Sequence, residues 1–239
     1  MTLITDKIQQ LETPIDVMFL MHKVFLTQSE KASELAKNAI ETNDLKEFKS
    51  VLDNWLKLLL YHYQTEDEFM TGPLKEKEYH DGRLGLRDNV AEHDEIRSKG
   101  EIVLKDYQKT LNPKNMSVQE ILEMDDLEHL KVMNKISAVQ SSIVDAFGAE
   151  KLKARSLRGL YQSVLDLKVV EFDHFENEEA FVLPLVREQM TYDQQLQLTE
   201  KLLFDSTDQN ENWIVDFLIS VLDDEENSLL QDLVTEIKG

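Results

Sequence analysis

The chain has 239 residues, a formal net charge of −21 and no cysteine. The charge argues against a phosphate backbone or an anionic membrane as partner, because both would repel it. Without cysteine there is no disulfide, thiolate metal site, cysteine-ligated iron–sulfur cluster or cysteine nucleophile.

Only seven glycines and four prolines interrupt the chain, which predicts long helices, and no strand-like alternation of any length appears. The chain has no N-terminal hydrophobic signal and no apolar run near the roughly 20 residues of a membrane span, so a cytoplasmic protein is expected. Thr13-Pro14 opens the first helix with proline in its first turn. Ile15, Met18, His22, Phe25 and Leu26 then follow the helical period toward Thr42. After Asn43-Asp44, a second helix carries Leu45, Phe48, Val51, Leu52, Trp55, Leu59, His62, Glu66 and Phe69 on one face.

Gly72-Pro73, Asp81-Gly82 and Gly85 predict a loop from Thr71 to Asp88, with His80 in solvent. A third helix is expected from Asn89, with His93, Ile96, Gly100, Val103 and Tyr107 inward, stopping before Asn112-Pro113. Gly100 fits close helix packing or leaves space for a small ligand. The capping box Ser117-Val118-Gln119-Glu120 starts another helical stretch. It reaches Phe147-Gly148 with a break near Asp125-Asp126, and holds His129 at the edge of an apolar stripe, where no ligand role is expected. A long helix follows from about Glu150 to Val186, with Leu160, Val164, Leu167, Glu171, His174, Glu178 and Phe181 inward. Thr191 to Gly239 predicts two or three short amphipathic helices around Trp213, and Asp223-Asp224-Glu225-Glu226 reads as a solvated face or cap.

Two of these stretches echo each other. His62-Tyr63-Gln64-Thr65-Glu66-Asp67-Glu68-Phe69 and His174-Phe175-Glu176-Asn177-Glu178-Glu179-Ala180-Phe181 share histidine, aromatic, two variable residues, glutamate, acid, one variable residue, phenylalanine. Each then reaches a Pro-Leu pair, Pro73-Leu74 and Pro184-Leu185. Histidine four residues before glutamate puts an imidazole and a carboxylate one turn apart on one helix face, an arrangement that helix bundles use to hold metal in their cores. Tyr61 and Tyr63 flank one such histidine, and helix phasing turns both away from it. Glu171 reads either as a partner for an imidazole N–H or as a partly solvated charge.

At about 1.5 Å per residue, an antiparallel hairpin brings His22 and His62 to similar heights. The same reasoning brings Glu66 level with His93. His93 and His174 are 81 residues apart, about twice the 40 between His22 and His62, so an insertion within about 112–150 is expected to loop out. Met21-His22-Lys23-Val24-Phe25 and Glu92-His93-Asp94-Glu95-Ile96 also share histidine, two variable residues and an apolar one. The chain thus reads as a doubled helical hairpin.

The ordered set His22, His62-x3-Glu66, His93, His174-x3-Glu178 resembles the four-histidine, two-glutamate variety of the hemerythrin-like (HHE cation-binding) family. The resemblance covers residues 13–186, less the insertion. It implies an all-α, antiparallel four-helix bundle; the spacing adds a helical insertion about 112–150, and the pattern a C-terminal helical extension over 187–239 packed on the bundle. It further implies two iron ions in an oxo- or hydroxo-bridged di-iron centre. By this similarity His22 and His62 would bind one iron and His93 and His174 the other, with Glu66 and Glu178 bridging. Hemerythrins that carry oxygen have a fifth histidine one turn after the third; Arg97 stands there in this sequence. Three functions are therefore expected in order: binding or sensing of O2, NO or iron; di-iron oxidoreductase chemistry on peroxide, NO or Fe(II); and an acidic helical adaptor with a structural metal.

Overall fold

A computed structural model of the chain describes residues 8–76, 116–147 and 154–239. Regular structure among them is entirely helical. A 3-10 turn (Pro14–Asp16) leads into α1 (Val17–Thr42), followed by α2 (Lys46–Thr65), a π turn (Glu66–Thr71) and α3 (Gly72–Lys75). Beyond these come α4 (Val118–Phe147), α5 (Ala154–Asn177), a second π turn (Glu178–Val182), α6 (Leu183–Gln189), α7 (Tyr192–Leu203), α8 (Trp213–Ile219) and α9 (Asp224–Lys238).

Local chemistry sets the ends of these helices. Asp16 accepts hydrogen bonds from the backbone N–H groups of Glu12 and Thr13 at 2.7 and 3.0 Å, fixing the entry to α1. Asn43 stops that helix with φ of 60°, its N–H reaching the carbonyl of Ala39. The expected capping box opens α4: Ser117 N–H donates to Glu120 Oε2 at 2.7 Å, and Glu120 N–H to Ser117 Oγ at 3.2 Å. The helix then continues through Asp125-Asp126 without the expected break, because Asp125 turns into the bundle while Asp126 reaches out to Lys75.

Helices α1, α2, α4 and α5 form the bundle, with neighbours antiparallel. An ion pair between Glu30 and Lys168 and the 2.9 Å contact of His22 with Glu179 set α1 against α5. Lys135–Asp166, Ser142–Ser163 and Asn177–Glu128, at 3.2, 2.8 and 2.6 Å, set α4 against α5 in the same sense. Trp55, Phe25, Phe48, Phe175, Leu160, Val164 and Leu167 fill the interior, each large apolar side chain contributing about 1.5–3 kcal/mol by leaving water.

Residues 118–147, which fall inside the expected insertion, do not loop out. Val132, Ile136 and Val139 are buried, so this apolar stripe makes α4 a wall of the bundle beside α5. The expected helix from Asn89, with His93, Arg97 and Gly100, lies outside the described residues, as does the loop bearing His80.

The C-terminal helices are tied to the site end of the bundle by specific contacts. The Tyr61 hydroxyl lies 2.7 and 3.1 Å from the carbonyls of Lys201 and Phe204, and its ring meets Trp213 edge-on. Arg187 pairs with Asp16. Asp223 caps α9 as expected, accepting from the N–H groups of Glu225 and Glu226 at 3.0 and 2.9 Å. Glu226, expected in a solvated run, is instead buried; it accepts the Ile8 N–H at 3.4 Å and pairs with Lys23. Among the described residues, no helix is long and apolar enough to cross a membrane.

Candidate metal centre

Both echoed motifs change helix type at the glutamate. After Glu66 and after Glu178 the chain widens from α to π. The Gly72 N–H bonds the carbonyl of Asp67, and the Leu183 N–H that of Glu178, both five residues back. Proline follows each of these residues, and its missing N–H and bulky ring disfavour an ordinary α turn. At Gly72 the fit is close: a Cβ there would stand 2.6 Å from the Asp67 carbonyl oxygen. Single π turns inside α-helices recur at functional sites, because they re-aim side chains.

The side chains so aimed converge at one end of the bundle. His62 Nε2 lies 2.8 Å from Glu66 Oε1, and His129 Nε2 lies 3.3 Å from Glu66 Oε2. Glu178 Oε2 faces His22 Nε2 at 3.2 Å and His174 Nε2 at 3.7 Å. Each glutamate therefore lies between two imidazoles from different helices. All six side chains are buried. Ligand-capable atoms of His22, His62, Glu66 and Glu178 lie within 4.8 Å of one another, as do those of Glu66, His129 and His174. Among the described residues, none of these four Nε2 atoms, nor any carboxylate oxygen of Glu66 or Glu178, makes a directed hydrogen bond. Buried polar groups are nearly always hydrogen-bonded, so this concentration of unsatisfied nitrogens and oxygens fits a cation.

The outer sides of two rings are satisfied by the acid that follows each glutamate. His22 Nδ1 meets Glu179 Oε1 at 2.9 Å, and His129 Nδ1 meets Asp67 Oδ1 at 2.8 Å. Carboxylates in this position fix the tautomer and orientation of a ligating imidazole. Phe175 stacks on His22, with centroids 4.1 Å apart.

The electrostatics divide the four histidines into two kinds. Burial opposes charge on His22, but Glu178 and Glu179 outweigh it and push it up to about 10. Burial likewise opposes charge on His129, and Asp67, Glu66 and Asp125 push it up to about 11. Burial dominates at His62, which falls well below the usual imidazole range, and at His174, lowered to about 3.

Of the residues expected to ligate, His22, His62, Glu66, His174 and Glu178 come together, and His93 lies outside the described residues. The fourth imidazole at the cluster is His129, for which the sequence suggested no role. A signal was present in Asp125-x3-His129, an acid and a histidine one turn apart on the inward face. One turn after His129 stands Met133, which is 39% exposed. Tyr63 also corrects an expectation. Its buried ring packs on His129 and His174, with centroids 4.9 and 5.2 Å away, and its hydroxyl has no partner among the described residues. Burial, then the charges of Glu171, Glu66, Glu178 and Asp125, push its ionisation well above the usual phenol range. Tyr61 points outward, as expected. Glu171 pairs with neither an imidazole nor solvent; it is buried and accepts the Trp55 indole N–H at 2.7 Å. Burial pushes it up to about 8, against the Trp55 and Ser29 hydrogen bonds.

Residues 13–130 match the Hemerythrin HHE cation binding domain. The hemerythrin match takes in His22, His62, Glu66, His93 and His129, and ends before His174 and Glu178. No curated protein and no solved structure was found to match the chain. The hemerythrin match and the buried histidine–glutamate cluster together support a cation-binding helical protein.

Proposed function

We propose that this chain is a hemerythrin-like, non-haem di-iron protein that binds or senses a small ligand such as O2 or NO, or handles iron. In this reading His22 and His62 would hold one ion and His129 and His174 the other, with Glu66 and Glu178 contributing their carboxylates to the pair. His129 thereby takes the role that the sequence suggested for His93. One observation carries the proposal: four buried imidazoles from four helices and two buried glutamates from the π turns converge, with metal-facing atoms that have no hydrogen-bond partner among the described residues. Imidazole and carboxylate together suit iron, and buried carboxylates need nearby cations to offset their desolvation. Bound iron would supply redox electrons and Lewis acidity at an open coordination position. The chain's own part is to orient the rings through Asp67 and Glu179, and to exclude water with Phe25 and Phe175.

A second reading, turnover of peroxide, NO or Fe(II), is favoured by Tyr63. Its hydroxyl, without a partner among the described residues, lies among the ligand side chains and can donate a hydrogen bond to a bound molecule.

Anaerobic purification, a metal count and optical spectra with O2, NO and azide test the proposal. About two irons per chain and an oxo-bridged spectrum are expected. Absence of iron, or unchanged iron in the His62→Ala, His174→Ala double variant, overturns it. Steady-state turnover with an electron donor separates binding from catalysis.

A further inference from the structure

The six side chains of the candidate centre are shut away from water, His129 being the most exposed of them at 5%. An ion that reaches them must pass some part of the bundle wall. Around His22 and His62 that wall is aromatic. Phe175 stacks on His22, and Phe25 is tilted against His62 with centroids 4.7 Å apart. On the side of His129 the wall is hollow. A cavity of about 650 Å³ lies between α2 and α4, with Leu60, Tyr63, Asp67, Glu68, His129 and Met133 in its lining.

The lining changes character from rim to floor. Asp67 and Glu68 are exposed, and Met133, one turn beyond His129, flanks the passage at 39% exposure. Tyr63 and His129 are buried, and the Tyr63 hydroxyl and His129 Nε2 have no hydrogen-bond partner among the described residues. His129 Nε2 also lies 3.3 Å from Glu66 Oε2, so the cavity ends against the cluster. Among the described residues no lysine or arginine lines it. Lys75, which also acts on Asp67, is paired with Asp126. The rim is therefore negative. Like-signed charge around a cleft with low-dielectric walls gathers the opposite ion and raises its on-rate by about 10- to 1,000-fold.

We propose that this cavity is the entry for a divalent cation, which passes Asp67 and Glu68 and reaches the centre beside His129. The unpartnered Tyr63 hydroxyl and His129 Nε2 meet the ion as it sheds its water. The proposal rests on the metal-binding reading above.

Metal-free, full-length wild type, Glu68→Lys and Met133→Trp are mixed with cobalt(II), and uptake is followed optically in stopped flow at low and high salt. Equilibrium cobalt per chain and the melting temperature of each metal-free protein are measured beside it. Glu68→Lys is expected to slow uptake on the order of 10-fold at low salt, with the difference shrinking at high salt. Met133→Trp, which fills the passage, is expected to slow uptake several-fold at both salt concentrations. Bound cobalt at equilibrium stays at the wild-type level in both variants. Wild-type uptake rates in both overturn the entry route and leave the metal-binding reading standing. An uptake rate that depends on neither cobalt nor salt concentration places entry in an opening of the bundle itself, and also overturns the route. Should Met133→Trp fail to fold, the salt series of Glu68→Lys decides alone. Wild type that takes up no cobalt and no ferrous iron removes the metal-binding reading, and this proposal with it.

Discussion

Asp67 Oδ1 lies 2.8 Å from His129 Nδ1, so the residue after one glutamate of the cluster orients an imidazole on a different helix. Glu179 does the same for His22 at 2.9 Å. The acid that follows glutamate in both echoed motifs thus has a physical role across the bundle.

Asp67→Ala and Glu179→Ala are expected to retain the helical fold and lose metal affinity on the order of 10- to 100-fold, the usual effect of removing a carboxylate that orients a ligating histidine. Equilibrium iron titration of each variant measures it. Wild-type affinity in both would disconnect these acids from the centre.

His129→Ala and His93→Ala form a paired test of the third bundle helix. Loss of bound iron is expected in His129→Ala, and unchanged loading in His93→Ala. The reverse pattern would return the fourth ligand to His93.

Metal loading is expected to release two protons per chain at neutral pH. His22 and His129 hold their protons up to about 10 and about 11 in the metal-free protein, and a ligating imidazole must give its metal-facing proton up. Affinity for the pair of ions therefore rises with pH below those values, by about a hundredfold per pH unit for full loading. Calorimetry in buffers of different ionisation enthalpy counts the protons, and zero released would refute the assignment.

Glu171 gives the metal-free protein a pH dependence of its own. Its value rises from 4.5 to about 8 on folding, chiefly through burial, so the folded state holds this proton more tightly than the unfolded one. The stability it contributes is fully present below about 4.5 and is lost as pH rises through about 8. His62 and His174, held below the usual imidazole range, pull the other way up to about pH 6.5, so the fall is read as the difference between urea unfolding of the metal-free wild type and of Glu171→Gln across this window. An unchanged slope in the variant would mean that Glu171 is ionised when folded.

Gly72→Ala puts a methyl group against the Asp67 carbonyl, 2.6 Å from where its Cβ must stand. Overpacking of this kind costs about 1–3 kcal/mol, and here the shift falls on the turn that carries Glu66 and Asp67. A lower melting temperature together with weaker iron binding is expected. A lower melting temperature alone would show that the turn moves without disturbing the site.

The helices and five of the six cluster residues were legible because they lie on strong helical periods or in a repeated motif. His129 was not, for a directional reason. A search for histidine followed by glutamate works only on helices that run with α2, whereas α4 runs against it and presents its acid first, as Asp125. His93 stands in the expected set through the order His, His-x3-Glu, His, His-x3-Glu and a likeness to the residues around His22, and it lies outside the described residues. Simple phasing sets Tyr63 about 100° from His62 on an isolated helix, which turns it away from the site. In the bundle α4 and α5 occupy that side as well, so the residue beside His62 is also interior.

Lys23 follows His22 directly and is held by Glu226, in the first turn of α9. The same carboxylate receives the Ile8 N–H. A clamp more than two hundred positions downstream in the sequence therefore steadies the start of α1. Drawing Glu226 away from Lys23 would loosen the first histidine of the cluster without touching it, which makes α9 a remote brace of the candidate metal centre.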